Sequence, residues 1–505
     1  MSQPSYDRYP LAVTNSLSRE KETFKPINPP LVGMYLCGPT VYGDPHLGHA
    51  RSAVNFDVIF RYLTYLEYKV RYVRNVTDVG HLEDEVAGTG EDKVSKKARL
   101  EKLEPMEIVQ MYTYRYRDAL RLLNVLPPSV EPTATGHILE QIEVIQSILE
   151  HGYAYETNGS VYFDLEKYAR EQDYGKISGK VLDDLVSGSR QTEGLDEKRS
   201  PHDFALWKKA SPEHIMRWNS PWGEGFPGWH LECTTMSTKY LGETFDIHGG
   251  GLDLQFPHHE AEMAQSYAAF HKHPANYWIH HNLITIDGQK MSKSQGNFIT
   301  LEQLFTGDHP LLEQAYSPMT VRFFILQAHY RSPVDFSNEA LQAAEKGLIR
   351  LTNALETLEK LNHQPAEPDE TLNHKINQLC DQCYLHMSDD FNTARLIAVL
   401  FDIGSKINGF YNQQIPLSSL NADTFQRMKN TFEGFIGQVL GLNAEKSDDS
   451  QQQKEGLIQL LIDIRNKARA DKDFATSDQI RDQLKNLGVQ LKDEKSGGTT
   501  YSFTN

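Results

Sequence analysis

The chain has 505 residues, 39% apolar and 24% charged, a balance that suits a globular protein of about three domains. Four cysteines are too few for a disulfide framework, and no apolar run approaches the ~18 residues a membrane helix needs. A net charge of −17 weighs mildly against nucleic acid as a partner, yet nine Lys/Arg meet eight Asp/Glu between Lys454 and Asn505, so the acidity lies mainly elsewhere.

Residues 1–30 are polar and mixed in charge, without the apolar core of a secretory signal; with the sparse cysteines, this points to a reducing cytoplasm. The apolar run 31–36 predicts a strand. After a Gly/Pro turn, Val54, Val58, Ile59, Leu63 and Leu66 recur at nearly helical spacing. With the strand-like run 69–76 they form a β-α-β unit, which implies a parallel sheet with ligands at the carboxyl ends of its strands. Residues 135–150 predict a helix through Ile138, Ile142, Ile145 and Leu149, and 153–163 a hairpin turning at Asn158-Gly159. Residues 176–200, charged and glycine-containing, predict an exposed loop. Strand and helix signals resume near Phe245 and continue to about Phe336.

From Asn338 strands nearly vanish, and Leu341, Leu348, Leu351, Leu355 and Leu358 begin a helical series that suggests a bundle. Residues 443–453 lack apolar anchors and predict a linker. Leu457, Leu460, Leu461 and Ile464 then mark one amphipathic helix, and Ile480, Leu484 and Leu487 another. Cys380 and Cys383 fall within a helical pattern without a second pair, so packing is the expected role. The expected fold is α/β. A Rossmann-like parallel-sheet domain in two halves, 1–120 and 201–337, surrounds a connective insertion at 121–200. A helical bundle (338–442), a linker (443–453) and a small C-terminal module (454–505) follow.

Two motifs carry the chemistry. Pro45-His46-Leu47-Gly48-His49-Ala50 sets two histidines at a helix N-terminus after a strand and a tight turn, a ready anion site. Gly288-Gln289-Lys290-Met291-Ser292-Lys293-Ser294-Gln295-Gly296-Asn297 places two lysines and two serines in five residues, with a glycine on each side, after the apolar run 283–286. Such a run is equally at home in a solvated surface loop, but closed over a nucleotide it sets ammonium groups against phosphates. Together the motifs resemble the His-Ile-Gly-His and Lys-Met-Ser-Lys-Ser elements of class I aminoacyl-tRNA synthetases; the second is matched letter for letter at 290–294, and Leu47 stands where isoleucine is usual.

Cys37 ends the first strand, Cys233 lies in Gly228-Trp229-His230-Leu231-Glu232-Cys233, and His258 and Glu262 lie four apart on a predicted helix face. Two thiolates, an imidazole and a carboxylate make a plausible zinc set, although free cysteines are commonly packing residues and a helix-borne His and Glu commonly cap or solvate. Residues 31–49, 228–233, 246–262 and 290–297 are similar to the cysteinyl-specific synthetases, and the likeness extends through Ser388-Asp389-Asp390-Phe391-Asn392-Thr393 to the terminal segment.

The resemblance implies one zinc ion per chain on Cys37, Cys233, His258 and Glu262. It implies ATP with Mg2+, held by Thr40, His46, Gly48, His49 and Lys293, with His46, His49, Lys290 and Lys293 catalytic. It further implies an L-cysteine pocket lined by Gly38, Thr77, Trp229, His248 and Asp253, the last facing the substrate ammonium. The implied partner is tRNA(Cys), bound by a cytoplasmic monomer, with Arg465, Arg469, Lys472 and Arg481 as candidate anticodon contacts. Two other readings share these residues: a cysteine ligase acting on an amino sugar, and a non-catalytic zinc-binding relative.

Overall fold

The computed structural model describes residues 4–84, 89–180, 197–212, 214–291, 296–364, 366–443, 448–493 and 499–503. It divides into two units, 1–443 and 444–505. In the first, four parallel strands stand in the order Ala275–His281, Phe245–Gly251, Leu31–Leu36, Lys69–Arg74. Alternation along these strands serves two cores: Val32, Met34, Leu36 and Ile247 join one, while Tyr35, Val73 and Phe245 join the other. Helix Leu47–Tyr65 contributes to the first core and helix Trp229–Leu241 to the second, so both faces of the sheet are covered, as a parallel sheet requires.

Between the two halves lies a separate five-stranded antiparallel sheet, ordered Trp218–Ser220, Gly223–Pro227, Phe204–Lys209, Ser160–Phe163, Ala154–Thr157. The predicted hairpin is present; Asn158 (φ 53) and Gly159 (φ 84) are both left-handed, as a primed turn demands. This sheet runs to Pro227, so the insertion does not end at residue 200 as expected. Strand signals are expected to resume only near Phe245, and it is the pairing of Phe204–Lys209 with Ser160–Phe163 that assigns 204–227 to this sheet. Of the loop expected at 176–200, residues 181–196 lie outside the described residues. The backbone of Gly175, Ile177 and Ser178 just before them donates to the buried Glu260 carboxylate.

The lysine-serine run leaves a third, small sheet. Ile284–Ile286 pairs in parallel with Val334–Phe336 and antiparallel with Gln289–Lys290. Asp335 pins its root, accepting from Gly288 N at 2.8 Å and Thr285 Oγ1 at 2.6 Å.

Helices Asn338–Lys360, Glu370–Ser388, Thr393–Tyr411 and Ala422–Glu433 follow. Cys380 and Cys383 are fully buried among them, in a packing role. Asp390, with φ 64, ties the bundle to the catalytic half: it accepts from Thr14 N and Oγ1 at 2.8 and 2.7 Å, Tyr330 at 2.7 Å and Arg331 at 2.9 Å. Thr14 belongs to an N-terminal hairpin, Ala12–Asn15 with Glu20–Thr23, that the polar sequence does not announce.

In the second unit, helices Asp448–Ala470 and Phe474–Asn486 pack with the hairpin Val489–Asp493/Thr499–Phe503 around Ile458, Ile462, Leu484 and Val489. The expected linker at 443–453 is helical from Asp448 onward, because its glutamines and Lys454 are good helix formers that extend an anchored helix. Arg465 is buried and reaches Thr499 within this unit, which removes it from the expected RNA-facing set. Among the described residues no helix is long and apolar enough to cross a membrane.

Candidate active site and metal centre

The candidate residues gather at the carboxyl ends of the parallel strands, where open α/β sheets bind ligands. Cys37 directly follows the strand Leu31–Leu36, Cys233 faces it from helix Trp229–Leu241, and His258 and Glu262 flank the start of helix Glu260–Phe270. Their donor atoms all lie within 4.8 Å of one another. Sγ of Cys37 is 3.6 Å from Sγ of Cys233 and 3.5 Å from Glu262 Oε1; His258 Nε2 is 3.4 Å from Cys233 Sγ and 3.2 Å from Glu262 Oε1. A tetrahedral zinc with ordinary bond lengths has ligand–ligand edges of about 3.8 Å for S–S, about 3.5 Å for S–N and about 3.3 Å for N–O. The four donors match that cage.

Electrostatics point the same way. Burial, with neighbouring histidines, drives His258 and His259 well below the usual histidine range, so both rings are neutral and can donate a lone pair. Burial pushes the Cys37 thiol well up, assisted by Cys233 and Glu262; burial also raises Cys233. A cage that resists ionisation in this way is one a divalent cation would stabilise as thiolates.

A second donor group, Cys37, His248, His259 and Glu262, shares two members with the first. Of its histidines, His248 spends Nε2 on Glu262 Oε2 at 2.8 Å, while His259 bonds His280 through Nδ1 at 2.7 Å and keeps Nε2 3.4 Å from Cys37 Sγ. The set with two sulfurs suits a borderline-soft metal better. His248, expected in the substrate pocket, is fully buried, and its Nε2 orients Glu262, leaving Oε1 toward the cage. His230 does the same for His258, with Nδ1 atoms 2.9 Å apart.

The pocket walls follow from the neighbouring turns. Gly38 donates to Asn75 Oδ1 at 2.8 Å, and a Cβ there would stand 1.6 Å from the Asn75 carbonyl oxygen. Gly38→Ala should therefore force the turn beside Cys37 open and destabilise the fold by about 3 kcal/mol or more, read as a drop in the urea midpoint. Thr77 is buried with its hydroxyl donating to Glu232 Oε2 at 2.9 Å. Trp229 is half-buried, its ring centroid 4.4 Å from that of His258. Asp253 is exposed just beyond Gly251; a Cβ on Gly251 would lie 2.3 Å from its Oδ1.

At the nucleotide end, His46 is the N-cap of helix Leu47–Tyr65. Its Nδ1 accepts from Gly48 N at 3.1 Å, while its own N–H donates to His49 Nδ1 at 3.2 Å. Each Nδ1 is an acceptor, so each neutral ring carries its proton on Nε2 and offers a donor beyond the helix N-terminus. The rings stack at 3.8 Å. The second motif lies alongside: a Cβ on Gly48 would be 3.9 Å from Met291 Cε, Phe298 packs on His46 at 5.0 Å, and Thr300 bridges to the His46 backbone. Lys290 pairs with Thr285 through its backbone. Lys293 lies outside the described residues. A cavity of about 800 Å³ opens here, lined by Tyr42, Lys93, Lys96, Met291, Phe298 and Thr300 among others.

Burial lowers His49 to about 4 and His280 to about 3, against 6.5 for a free ring. Between these values the unfolded chain binds more protons than the folded one, so stability is full above about 6.5 and is lost as pH falls toward 4. The urea midpoint should be lower at pH 5 than at pH 7.5; an equal or higher value would contradict the neutral assignment.

Comparison with known proteins agrees with this geometry. Residues 23–346 match the family described as "tRNA synthetases class I (C) catalytic domain", which sets the class. The fold is shared with a methionyl-tRNA synthetase of Mycobacterium tuberculosis in complex with methionyl-adenylate, at 15% identity and a TM-score of 0.57, covering 80% of this chain and 88% of that one. Residues 384–445 match a DALR domain and 458–500 a "Cysteinyl-tRNA ligase anticodon binding domain". Proteins named cysteine–tRNA ligase from Bacteroides fragilis and Cytophaga hutchinsonii are 58% and 59% identical over 489 and 490 residues, each alignment covering 96% of this chain and 98% of the relative. The chain belongs to the cysteine–tRNA ligase family.

Several residues in contact with the candidate site escape sequence reasoning: Asn75, His230, Glu232 and His81. Only His81 carried a signal, as an isolated histidine in Val79-Gly80-His81-Leu82 shortly after Thr77.

Proposed function

We propose that the protein activates L-cysteine with ATP and transfers it to tRNA(Cys), selecting the substrate by its sulfur. The observation that carries this reading is the buried Cys37, Cys233, His258 and Glu262 cage beside Trp229, at the strand ends that also hold the nucleotide motifs. In the first step the cysteine carboxylate attacks the α-phosphorus of ATP; a P–O bond forms, the bond to the β-phosphate breaks, and pyrophosphate leaves. In the second, a terminal ribose hydroxyl of tRNA attacks the activated carbonyl and AMP leaves. No protein nucleophile is required, so positioning and charge stabilisation do the catalysis.

His46 and His49 direct their Nε2–H donors at the phosphates, with the helix N-terminus behind them. Lys290 and Lys293 offset the charge that grows on the leaving pyrophosphate, which Mg2+ accompanies. Thr40 and Gly48 line the nucleotide, Gly38, Thr77 and Trp229 the amino acid, and Asp253 takes its ammonium. Zinc, when bound, supplies a soft Lewis acid for the substrate sulfur, which serine cannot match; shape alone separates such near-isosteres by only about 1–3 kcal/mol.

The match of 458–500 to an anticodon-binding domain favours tRNA over an amino sugar as acceptor, since a sugar ligase has no use for it. Unpaired cysteines suit a cytoplasmic setting, and we assign the working form as a monomer. ATP–pyrophosphate exchange across the twenty amino acids, with and without chelator, tests the reading. Cysteine alone should support exchange, and chelation should abolish it; exchange with serine, or none with cysteine, would overturn it.

A further inference from the structure

We propose that His81 is a positioning residue for both substrates, fixing the hydroxyl of Thr40 toward the nucleotide and the indole of Trp229 at the amino-acid pocket. The proposal rests on the reading above, in which Thr40 meets ATP and Trp229 meets cysteine.

The chain places His81 with little freedom. Gly80 adopts φ 81, and a Cβ there would stand 2.6 Å from the Pro227 carbonyl oxygen, so the turn closes tightly against the segment that begins helix Trp229–Leu241. The His81 ring then stacks on Trp229, with centroids 4.2 Å apart and planes within 7°. Trp229 opens its helix and is only half-buried, so this stack, together with His258 at 4.4 Å, holds an indole that packing alone would leave loose.

The two ring nitrogens give His81 its second task. Nε2 lies 2.6 Å from Lys93 Nζ, and an ammonium can only donate, so Nε2 accepts. The ring proton is then on Nδ1, 2.5 Å from Thr40 Oγ1, and Nδ1 donates to that oxygen. A hydroxyl that accepts from His81 turns its own proton away from the ring. Thr40 sits on the turn after the first strand, bridged to Thr77 and six residues before His46. It thus presents a donor, the polarity that a phosphate oxygen requires. A single imidazole therefore links the orientation of the two pockets.

Two variants separate the two tasks. His81→Phe keeps a ring on Trp229 but loses the bond to Thr40; His81→Asn keeps an N–H near the Nδ1 position but loses the stack. Both preserve most of the volume, and both are compared with wild type by thermal unfolding and by cysteine-dependent pyrophosphate exchange. His81→Phe should raise KM for ATP about tenfold with KM for cysteine within twofold, and His81→Asn should do the reverse. Thr40→Val should reproduce the ATP effect of His81→Phe, and the double variant should add nothing further. Equal shifts of both constants in the two variants, or no shift in either, would overturn the proposal. A wild-type enzyme without cysteine-dependent exchange would instead overturn the functional reading beneath it.

Discussion

Cys233→Ser should strip the metal and silence cysteine activation while leaving the fold in place. The hydroxyl is nearly isosteric with the thiol, so the buried core around Met236 and Tyr35 loses little packing. It does not ionise at neutral pH, however, and three donors remain where the cage holds four. Zinc measured by mass spectrometry should fall from one per chain to a small fraction after dialysis, and cysteine-dependent exchange should fall on the order of a thousandfold, since the lost ligand belongs to the cage that we propose reads the substrate. ATP binding, for which we propose His46 and His49, should persist. Full metal content with exchange within tenfold of wild type would contradict the assignment.

The second large effect is expected at Lys293. Gly288, at φ 72, and the Asp335 carboxylate hold the root of the segment that carries it, while Met291 and Phe298 on either side lie against Gly48 and His46. The role proposed for the Lys293 ammonium is to offset the charge that grows on the departing pyrophosphate. Removing one preorganised charge of this kind costs about 10²- to 10³-fold in rate. Lys293→Ala should show that loss in pyrophosphate exchange while cysteine binding, followed by calorimetry, stays near normal. Near-normal exchange would refute the role.

The nucleotide motifs were legible in the sequence because their chemistry is local: His46 caps the helix that His49 belongs to, and both act through backbone groups within three residues. The metal ligands were different. Cys37, Cys233, His258 and Glu262 are widely dispersed in the sequence, and residue types alone left packing and capping as the commoner reading; the parallel pairing of Leu31–Leu36 with Phe245–Gly251 is what brings the two halves of the chain together. Bonds between side chains far apart in sequence, such as His248 with Glu262 or His81 with Thr40, have no local signature at all. Short polar strands fared no better. Glu20–Thr23 reads Glu-Lys-Glu-Thr, without the alternation that marks a half-buried strand, and the insertion's sheet extends past its expected end because its edge strands find partners only in space.

Selection of the substrate by its sulfur atom is tested most directly by X-ray absorption at the zinc edge of the purified enzyme, recorded with and without cysteine. An additional sulfur neighbour should appear when cysteine is added and should be absent with serine. A spectrum that cysteine leaves unchanged would contradict the account.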